Sequence, residues 1–325
     1  MFSTVVDYIL NIPKPDFDGK YDTFVSRYLL NKVSFLNDTY ISHLHQVLYI
    51  AVSYHLLFLA SYFIFQPLLS KLLINKNDKD LIAKDSNKKK RNQVAMHIVS
   101  FIQAICILEF CAKAIYEDAD HYFTFATVTN GLKKSHSITN LDLVDYLNQA
   151  TERIFGYTVL NEKITILACG YFLWDMVISA YCSTPAFMVH GVVSFTVYSI
   201  GLSHFINYYA AVFLFFELSN PFLNLRWFAN HYKKSDSFLA KLNEITFMVM
   251  FFVCRIAWGF LQIGLLITDF TLTYTDPRFQ MVHALVITSG NFVLNILNLY
   301  WFMIMLKIAR EKIFNKKDNK KVKSD

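Results

Sequence analysis

Seven long apolar runs dominate this chain, near residues 46–66, 94–114, 164–182, 187–205, 207–221, 244–267 and 284–306. A helix needs roughly 20 predominantly apolar residues to cross the hydrocarbon core of a bilayer, and its backbone polar groups must be satisfied within the segment. The runs therefore read as an all-α fold, a polytopic transmembrane helical bundle of about seven spans. The fifth run is short and ends at Asn220-Pro221, and the turn before it is tight. The fourth and fifth runs together also admit one broken re-entrant unit, which gives six spans. Composition agrees with a membrane setting: 17% of the residues are charged and 54% hydrophobic, where soluble domains carry about 25% charge. The 31 Phe and 19 Tyr suit a surface facing acyl chains with rims in the headgroup layer.

Lysine and arginine in the connections give an orientation. Eight basic residues lie between the first two runs, from Lys71 to Arg91, and eight follow the last run, from Lys307 to Lys323. Both segments are expected in the cytoplasm. With seven spans the connection holding Arg226, Lys233, Lys234 and Lys241 joins them, while segments 117–163 and 268–283 fall on the lumenal side. Six spans would put the two most basic segments on opposite sides. Charge thus favours seven, with the N-terminus lumenal and the C-terminus cytoplasmic.

The expected organisation is a lumenal segment over 1–43, a first span with a basic loop over 44–90, a membrane domain over 91–310 and a basic tail over 311–325. The first thirty residues have no basic start followed by an apolar run, so the first span is expected to do the targeting. Lys321-Val322-Lys323-Ser324-Asp325 fits the dilysine pattern of retrieval to the endoplasmic reticulum, and Asn37-Asp38-Thr39 is a glycosylation sequon on the expected lumenal side. In segment 117–163 the polar residues Asp142, Asp145, Glu152 and Arg153 interleave with apolar ones at helical spacing, which predicts a short amphipathic helix. The five cysteines all fall in or beside apolar stretches without zinc or disulfide spacing. No cofactor and no metal is expected. Membrane lipids and other membrane proteins are the expected partners, and nucleic acid is not.

Ionisable groups inside a membrane are costly and usually face a partner or a wet cavity. At about 1.5 Å per helical residue, His190, Glu217, Asp175 and Arg255 lie at roughly 5, 6, 10 and 17 Å from the expected cytoplasmic ends. Four such groups in one half of the bundle predict either a polar clamp, with Asp175 or Glu217 paired to Arg255, or a site in which a histidine beside a carboxylate moves protons. On the fourth run His190, Ser194, Val197, Gly201 and His204 recur at helical intervals and predict one shared face. His204 is expected to be a hydrogen-bonded packing element. Glu109 and Lys113, four residues apart, are expected to satisfy each other.

Several motifs occur together in order: Gly170-Tyr171-Phe172-Leu173-Trp174-Asp175, Phe187-Met188-Val189-His190, the run from Glu217 to Phe228, Phe252-Val253-Cys254-Arg255-Ile256-Ala257, and Asn295 to Phe302 with Lys307. With Arg91-Asn92-Gln93-Val94, His97 and Ser100 ahead of them, they resemble the TLC-domain membrane proteins over residues 91–310. The resemblance implies an all-helical bundle around an intramembrane cavity. In the ceramide synthases of that family a His-His pair on the corresponding span sits beside an acyl chain; here the pair reads His190-Gly191. Those enzymes also carry a downstream His-Asp and further acidic residues, where this chain has Glu217-Leu218-Ser219-Asn220-Pro221. The chain is more similar to the family branch linked to membrane lipid composition.

The resulting expectation is a multi-pass endoplasmic reticulum protein that binds, moves or senses lipids. Asp175, His190, Glu217 and Arg255 are its cavity or clamp residues, and Asn224, Arg226 and Trp227 organise the cytoplasmic end of the fifth span. An acyltransferase is the alternative, with His190 as base poised by Asp175 and acyl-CoA as donor; a structural or chaperone-like membrane partner is the third reading.

Overall fold

The computed structural model describes residues 2–15, 38–117 and 140–321, and among them every regular element is helical. The sequon at Asn37 and the end of the dilysine pattern lie outside the described residues.

The helices are α1 (Phe2–Leu10), α2 (Asp38–Ala60), α3 (Gln66–Leu73), α4 (Lys79–Ser86), α5 (Lys88–Glu117), α6 (Asn140–Phe155), α7 (Val159–Cys182) and α8 (Pro185–Gly201). They continue as α9 (Asn207–Leu214), α10 (Asn220–His231), α11 (Phe238–Phe251), α12 (Trp258–Thr273) and α13 (Met281–Lys321). Five segments are long and apolar enough to cross a membrane: Ile41–Leu73, Lys88–Glu117, Val159–Cys182, Phe238–Thr273 and Met281–Glu311. The expected fourth run becomes α8, a 17-residue apolar helix. The fifth becomes α9 and α10 joined by a 3-10 segment, Phe215–Ser219.

Proline explains where the rods bend. Pro67 has no N–H and crowds the carbonyl four residues back, and the helix meets it with a π-helical turn, Ser61–Phe65, before α3. Pro221 was expected to end the fifth run. It stands instead in the first turn of α10, the position that tolerates proline because its N–H has no intrahelical partner there, directly after the 3-10 segment. The rod therefore continues to His231. The fourth run stops at Gly201 rather than at 205, because residues 202–206 unwind with His204 and Ile206 at φ of 58° and 57°.

Polar ties among the described residues gather in two separate groups, one at each end of the bundle. At one end Lys233 pairs with Asp78 at 2.8 Å, His231 with Asp85 at 2.7 Å and Arg226 with Glu244 at 3.3 Å. At the other, His43 and His204 meet Glu162, Lys163 meets Asp7 at 2.6 Å, and Arg153 meets Asp269 at 2.7 Å. The first set belongs to the lysine-rich connections and is called the basic end below. Helix α6 is the expected amphipathic helix; Ala150 and Ile154 are buried while Leu147 is exposed, and it docks on α12 through Arg153.

The core surrounds α7, whose residues from Ile164 to Phe172 are almost all buried. Helix α1, which no apolar run announced, closes this core at the far end through Val6 and Leu10. Gly191 lets α8 lie directly on α7: a Cβ there would sit 3.0 Å from the Cα of Met176 and 3.2 Å from Oδ2 of Asp175.

Candidate functional site: a polar cavity at the basic end

Helices α5, α7, α8, α10, α11 and α13 leave a cavity of about 450 Å³ between them. All seven residues singled out from the sequence line it: Asp175, His190, Glu217, Asn224, Arg226, Trp227 and Arg255. Lys89 and Gln93 stand on the wall contributed by α5, and Phe187, Trp301, Met305 and Ile308 supply apolar wall. A narrow apolar chamber of about 40 Å³ adjoins its floor and shares Phe172, His190, Glu217 and Arg255 with it.

The floor is built around Arg255, which is 5% exposed and sits in a π-helical turn, Phe252–Ala257. Such turns reorient a side chain inside an otherwise regular helix. Its guanidinium donates to Ser219 Oγ at 2.9 Å, Asn298 Oδ1 at 3.3 Å and Asn220 Oδ1 at 2.7 Å. Asn220 then donates to Glu217 Oε2 at 2.6 Å. The expected direct pairing of Arg255 with Asp175 or Glu217 is therefore replaced by a relay through Asn220. The cause is the 3-10 segment, which brings Ser219 and the amide of Asn220 between the two charges.

Along the wall, Asn224 is 1% exposed and holds three partners: the His97 ring at 2.7 Å, Ser100 Oγ at 3.2 Å and the carbonyl of Asn220 at 2.9 Å. Trp227 stacks on His97, with ring centroids 4.1 Å apart, and on His231 at 4.8 Å. Arg226 reaches Glu244 and lies over Phe247. These contacts tie α10 to α5 and α11.

His190 is half-buried, packed edge-on against Trp301 and Phe172, and makes no hydrogen bond among the described residues. The residue lines both the cavity and the chamber. Asp175 takes a hydrogen bond from Ser179 at 3.3 Å, and none joins it to His190. The predicted shared face of the fourth run holds for His190, Ser194, Val197 and Gly201, which all line the chamber. His204 leaves it, because the helix has already unwound; its ring turns to Glu162 at the far end. Lys113 pairs at 3.7 Å with Glu117, one turn further along the helix, rather than with the expected Glu109 one turn back.

Asn220, Ser219, Asn298 and Trp301 were not among the site residues that sequence singled out. One signal for Asn298 was available: Asn291, Asn295 and Asn298 recur every three to four residues in an apolar helix, and all three are buried. The position of Gly191 bears on the missing second histidine. A Cβ there would already press on the backbone of α7 at 3.0 Å, so a second histidine asks the helix pair to ease apart.

Fold and cavity together define a multi-pass helical membrane protein with a polar, internally lined site. Residues 93–307 match the TLC domain, and the chain belongs to that family. It is 36% identical over 322 residues to an uncharacterized TLC domain-containing protein of Saccharomyces cerevisiae, with 94% of each chain covered. Topoisomerase I damage affected protein 4 of the same yeast is 25% identical, covering 83% of this chain and 86% of its own. Human TLC domain-containing protein 4 is 30% identical over 52% of this chain and 64% of its own.

Proposed function

We propose that this protein binds, moves or senses a lipid in the endoplasmic reticulum membrane and so affects membrane lipid composition. The observation that carries the reading is the cavity itself. Its floor presents a buried guanidinium, amides and a free imidazole, while its walls are aromatic and aliphatic. A polar headgroup beside Arg255 and His190 with a chain along Phe187, Trp301 and Met305 satisfies both kinds of surface. Basic residues at the mouth, Lys89 and Arg226, suit an anionic headgroup layer. In this reading all seven rods cross the bilayer and the basic end is cytoplasmic.

Acyl transfer is the weaker reading. A general base needs a group that orients it and a reactant within hydrogen-bond reach, and Asp175 does not orient His190. Lipid profiling of cells tests the proposal. Deletion is expected to change the membrane lipid profile, the wild-type chain to restore it, and His190→Ala at equal abundance not to restore it. An unchanged profile on deletion overturns the reading.

A further inference from the structure

At the end of the bundle opposite the cavity, three side chains from distant parts of the chain converge. His43 opens the first rod, Glu162 lies in the first turn of α7, and His204 lies in the unwound turn after α8. Both imidazoles aim Nε2 at the same carboxylate oxygen: His43 at 2.8 Å from Oε1 of Glu162 and His204 at 3.2 Å. The three donor atoms lie within 4.8 Å of one another.

The protonation of this group has a definite logic. Gln46 donates its Nε2 hydrogen to the carbonyl of Leu10 at 2.8 Å, so its Oε1 is the atom facing Nδ1 of His43, also at 2.8 Å. Nδ1 of His43 therefore carries a proton. In the neutral ring Nε2 then bears a lone pair, directed at a carboxylate oxygen that is also an acceptor only. Either a proton on Nε2 or a bound cation must lie between them. Protons alone satisfy the group, with His43 as an imidazolium and His204 as a neutral ring donating from Nε2. One divalent cation instead meets two neutral imidazoles and the carboxylate with all three lone pairs inward, as in sites of two histidines and one carboxylate.

The surroundings are those of a ligand set held from behind. The second nitrogen of His43 is fixed by Gln46, and the second oxygen of Glu162 takes a hydrogen bond from Tyr157 at 2.8 Å. Metal-binding histidines and carboxylates are oriented by such outer partners. His204 occupies the left-handed region at φ 58°, a conformation that side-chain-bearing residues keep where the surroundings impose it. With 39% of its side chain exposed, it leaves a route for an ion and for a water in the fourth position.

We propose that His43, Glu162 and His204 bind a divalent first-row transition metal ion at the far end of the bundle, tying the first rod, α7 and the α8–α9 turn together. Sequence gave no hint of it, because the ligands stand on three separate elements with no motif spacing.

The probe is zinc itself. The full chain, purified in detergent through a tag without histidine and stripped with chelator, is titrated with Zn²⁺ by calorimetry, and its metal content is measured by mass spectrometry. The expected result is about one zinc per chain, with protons released on binding, and a higher unfolding temperature for the loaded protein. Glu162→Gln and His204→Ala each lower the affinity at least about tenfold, and Tyr157→Phe, acting only through the carboxylate, lowers it by about tenfold. A wild-type chain that takes up no zinc, or no more than the Glu162→Gln/His204→Ala double variant, overturns the proposal. If that double variant does not fold, the wild type decides alone through Co²⁺. Intense visible absorption of a four-coordinate ion, displaced by Zn²⁺, supports the site, and its absence overturns it.

Discussion

Arg255 is the residue on which the cavity floor depends. Its charge is buried, and its three acceptors are neutral oxygens, with Glu217 one amide further on. Hydrogen bonds to a charged group contribute about 1.5–3 kcal/mol each, and a buried charge left without its counterpart is costly. Arg255→Met is therefore expected to destabilise the protein by about 2–4 kcal/mol, read as a lower unfolding temperature in detergent. Because Glu217 is then left buried beside Asn220 alone, Glu217→Gln is expected to recover part of that loss. Strictly additive losses in the double variant would show that the relay does not couple the two. Gly191 gives a second test at this scale. The missing Cβ is what allows α7 and α8 to touch, so Gly191→Ala is expected to cost about 1–3 kcal/mol through overpacking. Thermal unfolding of that variant at wild-type temperature would show that the helix pair separates freely.

Between the rods, the connections are held by polar ties that can be titrated. Asp85 in α4 is buried at the basic end, outside the membrane-spanning segments. Burial by itself pushes its carboxyl up, but hydrogen bonds from His231, Ser70 and Gln66 and the nearby His231 ring hold it below the ordinary carboxylate value. A carboxylate whose folded value is depressed adds stability that is present above its unfolded value, near 4, and is lost as pH falls through the folded one. Unfolding temperature is expected to drop as pH is lowered below about 4, and Asp85→Asn is expected to be less stable at neutral pH and to flatten that dependence. An unchanged acid limb in the variant would remove Asp85 as its source. Elements of this kind were poorly legible in the sequence. Of the seven apolar runs read from the sequence, five correspond to helices long enough to cross a membrane, because bilayer thickness fixes their length. The nine residues of α1, the unwinding at 202–206 and the extension of the fifth rod past Pro221 depend on tertiary contacts: Val6 and Leu10 in the core, the Ile206 N–H on the Ile154 carbonyl, and the 3-10 segment before the proline. The seven site residues were legible for the opposite reason. Charges and amides are scarce in an apolar bundle, so nearly every one that occurs there has a cavity or a partner to face. What sequence could not supply was the wiring, since Asn220 rather than a direct contact joins Arg255 to Glu217.

For the whole molecule, the ties between connections bear on how the bundle sits in a bilayer. Lys233 on Asp78 and His231 on Asp85 hold the connection after α10 against the connection before α5. An odd number of traversals separates the rod ends at His43 and at His231 only if the segment 207–231, although broken, runs the full height of the bundle. In the proposed seven-span reading it does so as α9, the 3-10 segment and α10, with Tyr209 bonded to Asp269 near one end and Arg226 to Glu244 near the other. The broken middle leaves backbone groups that lipid could not satisfy, but Glu217 and Ser219 are buried in protein there, where irregular backbone is tolerated. Both lysine-rich connections then share one face, and the proposed orientation puts that face in the cytoplasm. Glycosylation reporters read this directly. An acceptor sequon carried on an inserted polar spacer within 274–280 is expected to be glycosylated in microsomes, and the same spacer within 232–237 is expected to remain unmodified. Modification of the second and not the first would invert the bundle and put the cavity mouth in the lumen. Modification of both would place 207–231 back on the side it started from, as a re-entrant unit, and the rod count would fall to six.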